Sequence, residues 1–214
     1  MRYNHGYNQG CCGSQRAGNR NGNDNGNCVM RGPFNAIDAA CIPPQVITGS
    51  IIPFASGAVP MALTSVLGGL VSTAAFVGFG TSIPSAGALG ATIDLTGLLN
   101  EAFSVPRPGT ITAISASITL TAALTLVGST TVNAQIYRAP AGSNTFTPTG
   151  VAVAIPLPAV LAIGDTFAGA SSGFPPVPVS VGDRLLMVYS TTTPGGATIA
   201  EVVAGSASAG ITIA

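Results

Sequence analysis

The stretch ITAISASITLTAALTLVG, residues 111–128, alternates Ile, Leu or Ala with Thr and Ser at a period of two. That is the signature of a half-buried β-strand, with one face apolar and one polar. Further β-rich runs follow at 131–139 (TVNAQIYRA), 147–157 (TPTGVAVAIPL), 162–170 (AIGDTFAGA), 177–182 (VPVSVG), 184–192 (RLLMVYSTT), 197–205 (ATIAEVVAG) and 207–214 (ASAGITIA). Turn signals separate them: Pro108-Gly109, Pro140-Ala141-Gly142, Pro175-Pro176, Gly182-Asp183 and Pro194-Gly195-Gly196. Short strands at such spacing predict an all-β sandwich or jelly roll over residues 48–214.

The composition narrows the functions available. Of 214 residues, 47% are hydrophobic and only 7% charged, with seven Arg, seven acidic residues and no Lys. The mean hydropathy is +0.54. Nucleic-acid binding rests on clustered cations, which this chain lacks. A net charge of zero is also a poor surface for a free monomer, so the protein is expected either to sit in a membrane or to be covered by copies of itself. No charge occurs between Asp38 and Asp94, and within that run residues 58–80 approach the length of a spanning helix. Yet Pro60, Gly68, Gly69, Gly78 and Gly80 dilute it, and it has neither a basic flank nor a Trp belt, so no membrane insertion is expected. The polar start MRYNHGYNQGCCGSQ has no apolar signal region, which implies synthesis in a cytoplasm without the general secretion route.

Residues 1–47 are of another kind. They hold eight of the eleven Asn, all four Cys and the only His. GNRNGNDNGN at 18–27 cannot build a core, and PPQVITGS at 43–50 suits a stiff hinge into the sandwich. Cys11 and Cys12 are adjacent, too close to bridge each other readily. With Cys28, Cys41 and a lone His5 they do not give a zinc-ligand spacing, so no metal or other cofactor is expected. Intermolecular disulfides are the remaining use for Cys11, Cys12, Cys28 and Cys41. Tyr3, Tyr7, Phe34, Ile37 and Ile42 are candidate anchors of such a connector.

The 48–214 segment contains no His and no Cys, which excludes hydrolytic triads and His-based metal centres. Its ionisable groups are Asp94, Glu101, Arg107, Arg138, Asp165, Asp183, Arg184 and Glu201, scattered and mostly at turns. Asp183-Arg184 after Gly182 suggests a surface turn entering a strand. Arg138, beside Tyr137, suggests an interface hydrogen bond rather than catalysis. No enzymatic activity is expected.

IIPFASGAVPMALTSVLGGLVSTAAFVGFGTSI (51–83), IDLTGLL (93–99), FSVPRPGTITAISA (103–116), RLLMVYS (184–190) and AGSASAGITIA (204–214) together resemble the C-terminal domain of collagen-like exosporium glycoproteins of spore-forming bacilli. The resemblance implies a tumour-necrosis-factor-like jelly roll, related to complement globular heads, that forms a tight homotrimer on the spore surface, with no catalytic residues. The collagen stalk of that family is missing here. The Cys-pair tail is weakly similar to the N-terminal connectors of endospore appendage subunits. The combination implies a self-assembling structural subunit, made in the mother-cell cytoplasm, whose trimers join through residues 1–47 into a fibre. The alternative is a non-polymerising exosporium module tied by its tail to a basal layer or other spore-coat proteins. Within the trimer, strands in 111–128 and 207–214 are expected to hide the apolar surface that one sandwich cannot bury.

Overall fold

The computed structural model describes residues 49–66, 71–88, 90–97, 101–126, 130–192 and 201–214. The candidate cysteines Cys11, Cys12, Cys28 and Cys41, and the anchors Tyr3, Tyr7, Phe34, Ile37 and Ile42, lie outside the described residues. The described part is all-β, with no helix and hence no helix long and apolar enough to cross a membrane.

Two antiparallel sheets form the sandwich. The first runs β1 (Ser50–Ala55), β15 (Glu201–Ile213), β7 (Gly109–Leu120), β12 (Thr166–Ser171), with β13 (Val177–Val179) continuing beside the start of β7. The second runs β4 (Ser82–Ala88), β3 (Val71–Val77), β14 (Arg184–Thr192), β9 (Thr130–Ala139), β10 (Thr145–Leu157). A further strand, β2 (Met61–Val66), pairs with both β15 and β3 and ties the sheets together at one end. Set aside β2, β4 and the strands of two or three residues, and eight remain, ordered first–eighth–third–sixth in one sheet and second–seventh–fourth–fifth in the other. That order is the double Greek key of a jelly roll.

Side-chain alternation builds the core between the sheets. On β7, Ile114, Ala116, Ile118 and Leu120 point inward, while Ser115, Ser117 and Thr119 point out. A bulge where Thr212 and Ile213 face Ala113 and Ile111 lets Ile111 and Ile114 both reach the core. The Tyr189 phenol crosses the interior from β14 and donates to the Ser208 carbonyl at 2.8 Å, with the Ser117 carbonyl 3.3 Å away. Phe79, 56% exposed, closes the side of the sandwich by stacking on buried Phe54 (5.4 Å) and against Phe103 (6.2 Å).

The second sheet is buried on its inner face and, at one end, on its outer face as well. On β14, Leu185, Met187 and Tyr189 face the main core, whereas Leu186 and Val188 face outward into a second one. There they meet Phe76, Tyr137 and Phe146 under a strap that contributes Ile93, Leu95 and Ala102. The strap is held by β5 (Ile93–Asp94) on β10 and β6 (Phe103–Ser104) on β14. Thr96 donates to Asp94 Oδ1 through both its hydroxyl and its amide, which holds the Asp94 carboxyl below the usual range. Part of the surplus apolar surface expected at a trimer interface is therefore hidden within the chain itself.

Two boundaries differ from expectation. The run 111–128 ends as a strand at Leu120, and β8 (Leu124–Thr125) pairs instead with β11 (Val160–Leu161). The two strands expected at 197–205 and 207–214 are one, β15, with no break at Gly205. That glycine is not a turn residue: a Cβ there would lie 2.6 Å from the Thr119 carbonyl oxygen, so its role is close approach to β7. Gly57 differs, since it has φ +71° and abuts the Gly80 carbonyl.

Tyr189→Phe is expected to cost about 1 kcal/mol, read as a lower urea midpoint with an unchanged slope at fixed protein concentration. Gly57→Ala should cost more, because both backbone strain and overlap oppose it. Burial pushes the Tyr189 phenol far above its ordinary value of 10.0. The folded protein then keeps the proton longer than the unfolded chain, so wild-type stability should fall as pH rises past about 10, and Tyr189→Phe should flatten that fall.

Candidate self-association face

The outer faces of the two sheets have different fates. The strap covers one end of the second and leaves Ala154, Pro156 and Thr192 exposed at the other, whereas nothing among the described residues covers the first. Strand register arranges its outward side chains in rows. Thr166, Thr119 and Ser206 form one row, Ala168, Ser117 and Ser208 the next, then Ala170, Ser115 and Gly210, and finally Ala113, Thr212 and Ile51. Every member is small or uncharged, and Ile51 is the only large apolar one, 74% exposed. The hydroxyls are partly satisfied within the sheet: Thr119 and Thr166 Oγ1 lie 2.9 Å apart, and Ser115 Oγ is 3.4 Å from the Gly169 carbonyl. At Gly210 the missing side chain leaves a shallow, open depression of about 400 Å³, walled by Ile51, Thr212, Ser115, Ala170 and Ser172.

The charged groups are elsewhere, each engaged in holding a loop. Asp165 Oδ2 accepts the Ala162 amide at 2.8 Å, and Asp183 Oδ2 accepts the Ser180 amide at 2.9 Å. Asp183, expected at a surface turn, is buried, because its carboxylate caps that turn from inside and lies 3.8 Å from Arg138 Nη1. Arg138, expected at an interface, binds within its own chain and donates to the Pro178 carbonyl at 2.7 Å. The Arg184 guanidinium donates to Ser143 O at 3.0 Å and to Asn144 Oδ1, and sits 5.2 Å over the Phe146 ring. Buried Glu101 accepts from Thr81 Oγ1 at 2.6 Å, and Arg107 reaches Ser50 Oγ at the margin of β1. Among the described residues no cluster of His, Cys, Asp or Glu could hold a metal. Nor does any hydroxyl of the open face have a basic neighbour to activate it.

What such a face can do is pack. No ion needs to be dehydrated, and small side chains allow another backbone to come close. Its strands include both segments expected at an interface, within 111–128 and 207–214. The sequence reading missed the contributions of β1 and β12. The Ser/Thr alternation of 111–120 marks which side of β7 faces out, but only strand pairing brings Ile51 and Ala170 beside it.

Three comparisons bear on the chain. No protein-family model matches it. The sequence is 33% identical over 159 residues to "Collagen-like protein 1" of Acanthamoeba polyphaga mimivirus, an alignment covering 68% of this chain and 17% of that protein. The chain thus spans a small fraction of that relative's length. The resemblance to a collagen-like protein therefore holds for most of the chain. Among solved structures, the Eiger TNF of S. frugiperda aligns with a TM-score of 0.34 at 13% identity, over 73% of this chain and 94% of that one. A likeness at that score adds nothing to the strand order described above.

Ser117→Glu places a charge at the centre of the open face. If copies pack there, a charge desolvated without a partner costs several kcal/mol, so association should weaken at least about tenfold while the β-sheet circular dichroism is retained. Multi-angle light scattering reads the particle mass; an unchanged mass would move the interface elsewhere.

Proposed function

We propose that the chain is a non-enzymatic structural subunit of a spore surface. In this reading three sandwiches associate through the face formed by β1, β15, β7 and β12, and the segment before residue 49 links one trimer to the next in a fibre. The observation that carries it is the charge-free open face, which suits burial against further copies better than permanent exposure. The likeness to a collagen-like protein supports a structural role over a catalytic one. The exosporium or appendage location rests on the phrases at 51–83, 93–99 and 204–214, and on the Cys-pair tail. No cofactor is required, and other spore-coat proteins are the natural anchors for a fibre end.

The covalent part of the link follows from where the thiols lie. All four Cys precede residue 48, so bridges run from tail to tail, with Cys11 or Cys12 joined to Cys28 or Cys41 of a neighbouring copy. Three tails acting together raise the effective concentration of each contact. Such bonds form after the assembly meets an oxidising environment.

Deleting residues 1–42 is expected to leave soluble trimers and no fibres in negative-stain micrographs. Replacing all four Cys by Ser should leave fibres that form but come apart at lower temperature, each lost bridge costing about 2–4 kcal/mol. Discrete trimers from the intact protein would instead favour a non-polymerising module anchored by its tail. Fibres from the deletion variant would place the polymer contact in the sandwich.

A further inference from the structure

Four described glycines lie on strands of the first sheet, and the chain's own packing requires three of them. A Cβ at Gly109 would lie 2.6 Å from Ile213 Cγ2, at Gly169 2.9 Å from the Ala154 carbonyl oxygen, and at Gly205 2.6 Å from the Thr119 carbonyl oxygen. Gly210 is the exception. It sits inside β15, paired with Pro53 of β1 and Ser115 of β7, and its φ is not positive. Beyond its chain neighbours, the nearest atoms to a Cβ there would be Ile51 Cγ2 and the Ile52 carbonyl oxygen, both at 3.9 Å, which is ordinary contact. A glycine inside a strand costs backbone entropy and brings no side chain to the packing. Neither a turn nor a close approach within the chain calls for it here. What remains is close approach of a surface from outside.

Beside that gap stands the opposite feature. Alternation along β1 sends Ile52 and Phe54 inward and Ile51 and Pro53 outward. Ile51 shares its row with Thr212 and Ala113, yet it is an isoleucine, and at 74% it is the most exposed large apolar side chain among the described residues. It faces away from its own core. The depression over Gly210 is lined by uncharged groups, so an aliphatic side chain entering it dehydrates no ion.

We propose that Ile51 of one copy seats in the depression over Gly210 of the next, and that this knob and hole set how copies register on the open face. The inference rests on the reading of that face as the association surface, and it names the pair that fixes the contact. A second copy is the occupant because the face itself supplies both halves, with no charge on either side to oppose them. Each copy offers one knob and one hole, so a closed ring satisfies every copy. The small residues Ser115, Ala170 and Gly210 let a neighbour's β1 come near enough for Ile51 to reach the floor.

The test is a double-mutant cycle on the full-length protein with its thiols reduced, read as the free protomer fraction by native mass spectrometry across a dilution series. Ile51→Ala empties the hole and Gly210→Val fills it. Each is expected to raise the concentration at which protomers separate by at least about tenfold. Together they should cost less than the product of the two single effects, because a filled hole has no use for the knob. Gly210→Ala should leave the urea midpoint of separated protomers unchanged or higher, since its Cβ has room. A lower midpoint would show that the glycine serves its own chain and would overturn the proposal, as would single effects that simply multiply. Ser117→Glu, measured alongside, separates the two readings. Dissociation by that charge, with multiplying effects at Ile51 and Gly210, keeps the face and sinks the knob; no dissociation by any of the three sinks the face itself.

Discussion

The strand Arg184–Thr192 must be buried on both faces, and much of the architecture answers to that requirement. Leu185, Leu186, Met187, Val188 and Tyr189 are consecutive and all buried. A strand points alternate side chains to opposite faces, so a two-layer sandwich could bury only half of this run. The strap carrying Ile93, Leu95 and Ala102 supplies the third layer. It covers the outer face of the second sheet around Leu186 and Val188 and leaves Ala154, Pro156 and Thr192 exposed beyond it, whereas the first sheet is open along its whole outer face.

That asymmetry gives the low charge content a physical meaning. The charged groups seen in the sandwich hold loops: Asp165 and Asp183 cap turns, Arg138 and Arg184 clamp the ends of β9 and β10, and Glu101 anchors the strap. None remains for the open face, which is left with Ser, Thr, Ala and Gly in register. A solvated surface normally relies on charge to stay dispersed. Its absence over a whole sheet face, in a chain with zero net charge, is the observation on which the proposed packing of copies rests.

The amino-acid sequence by itself determined the all-β class, the strand Arg184–Thr192 to its boundaries, and the division between an Asn/Gly/Cys-rich start and an apolar remainder. These were legible because period-two alternation and turn residues are local properties. The region 50–88 was less so: its Ala, Gly, Ser and Thr have no strong period, and its four strands emerge only through pairing with β15, β14 and each other. The runs 197–205 and 207–214 read as two strands, whereas Gly205 continues one strand and serves close packing against Thr119. Asp183 lies in the surface turn its sequence suggests, but nothing local reveals that its own carboxylate is buried beside Arg138. Tertiary structure alone decided which part of the second sheet's outer face is covered, because that depends on where the strap lies. It also assembled the open, charge-free face from four strands distant in sequence, since register across a sheet is set by the packing of the core beneath it.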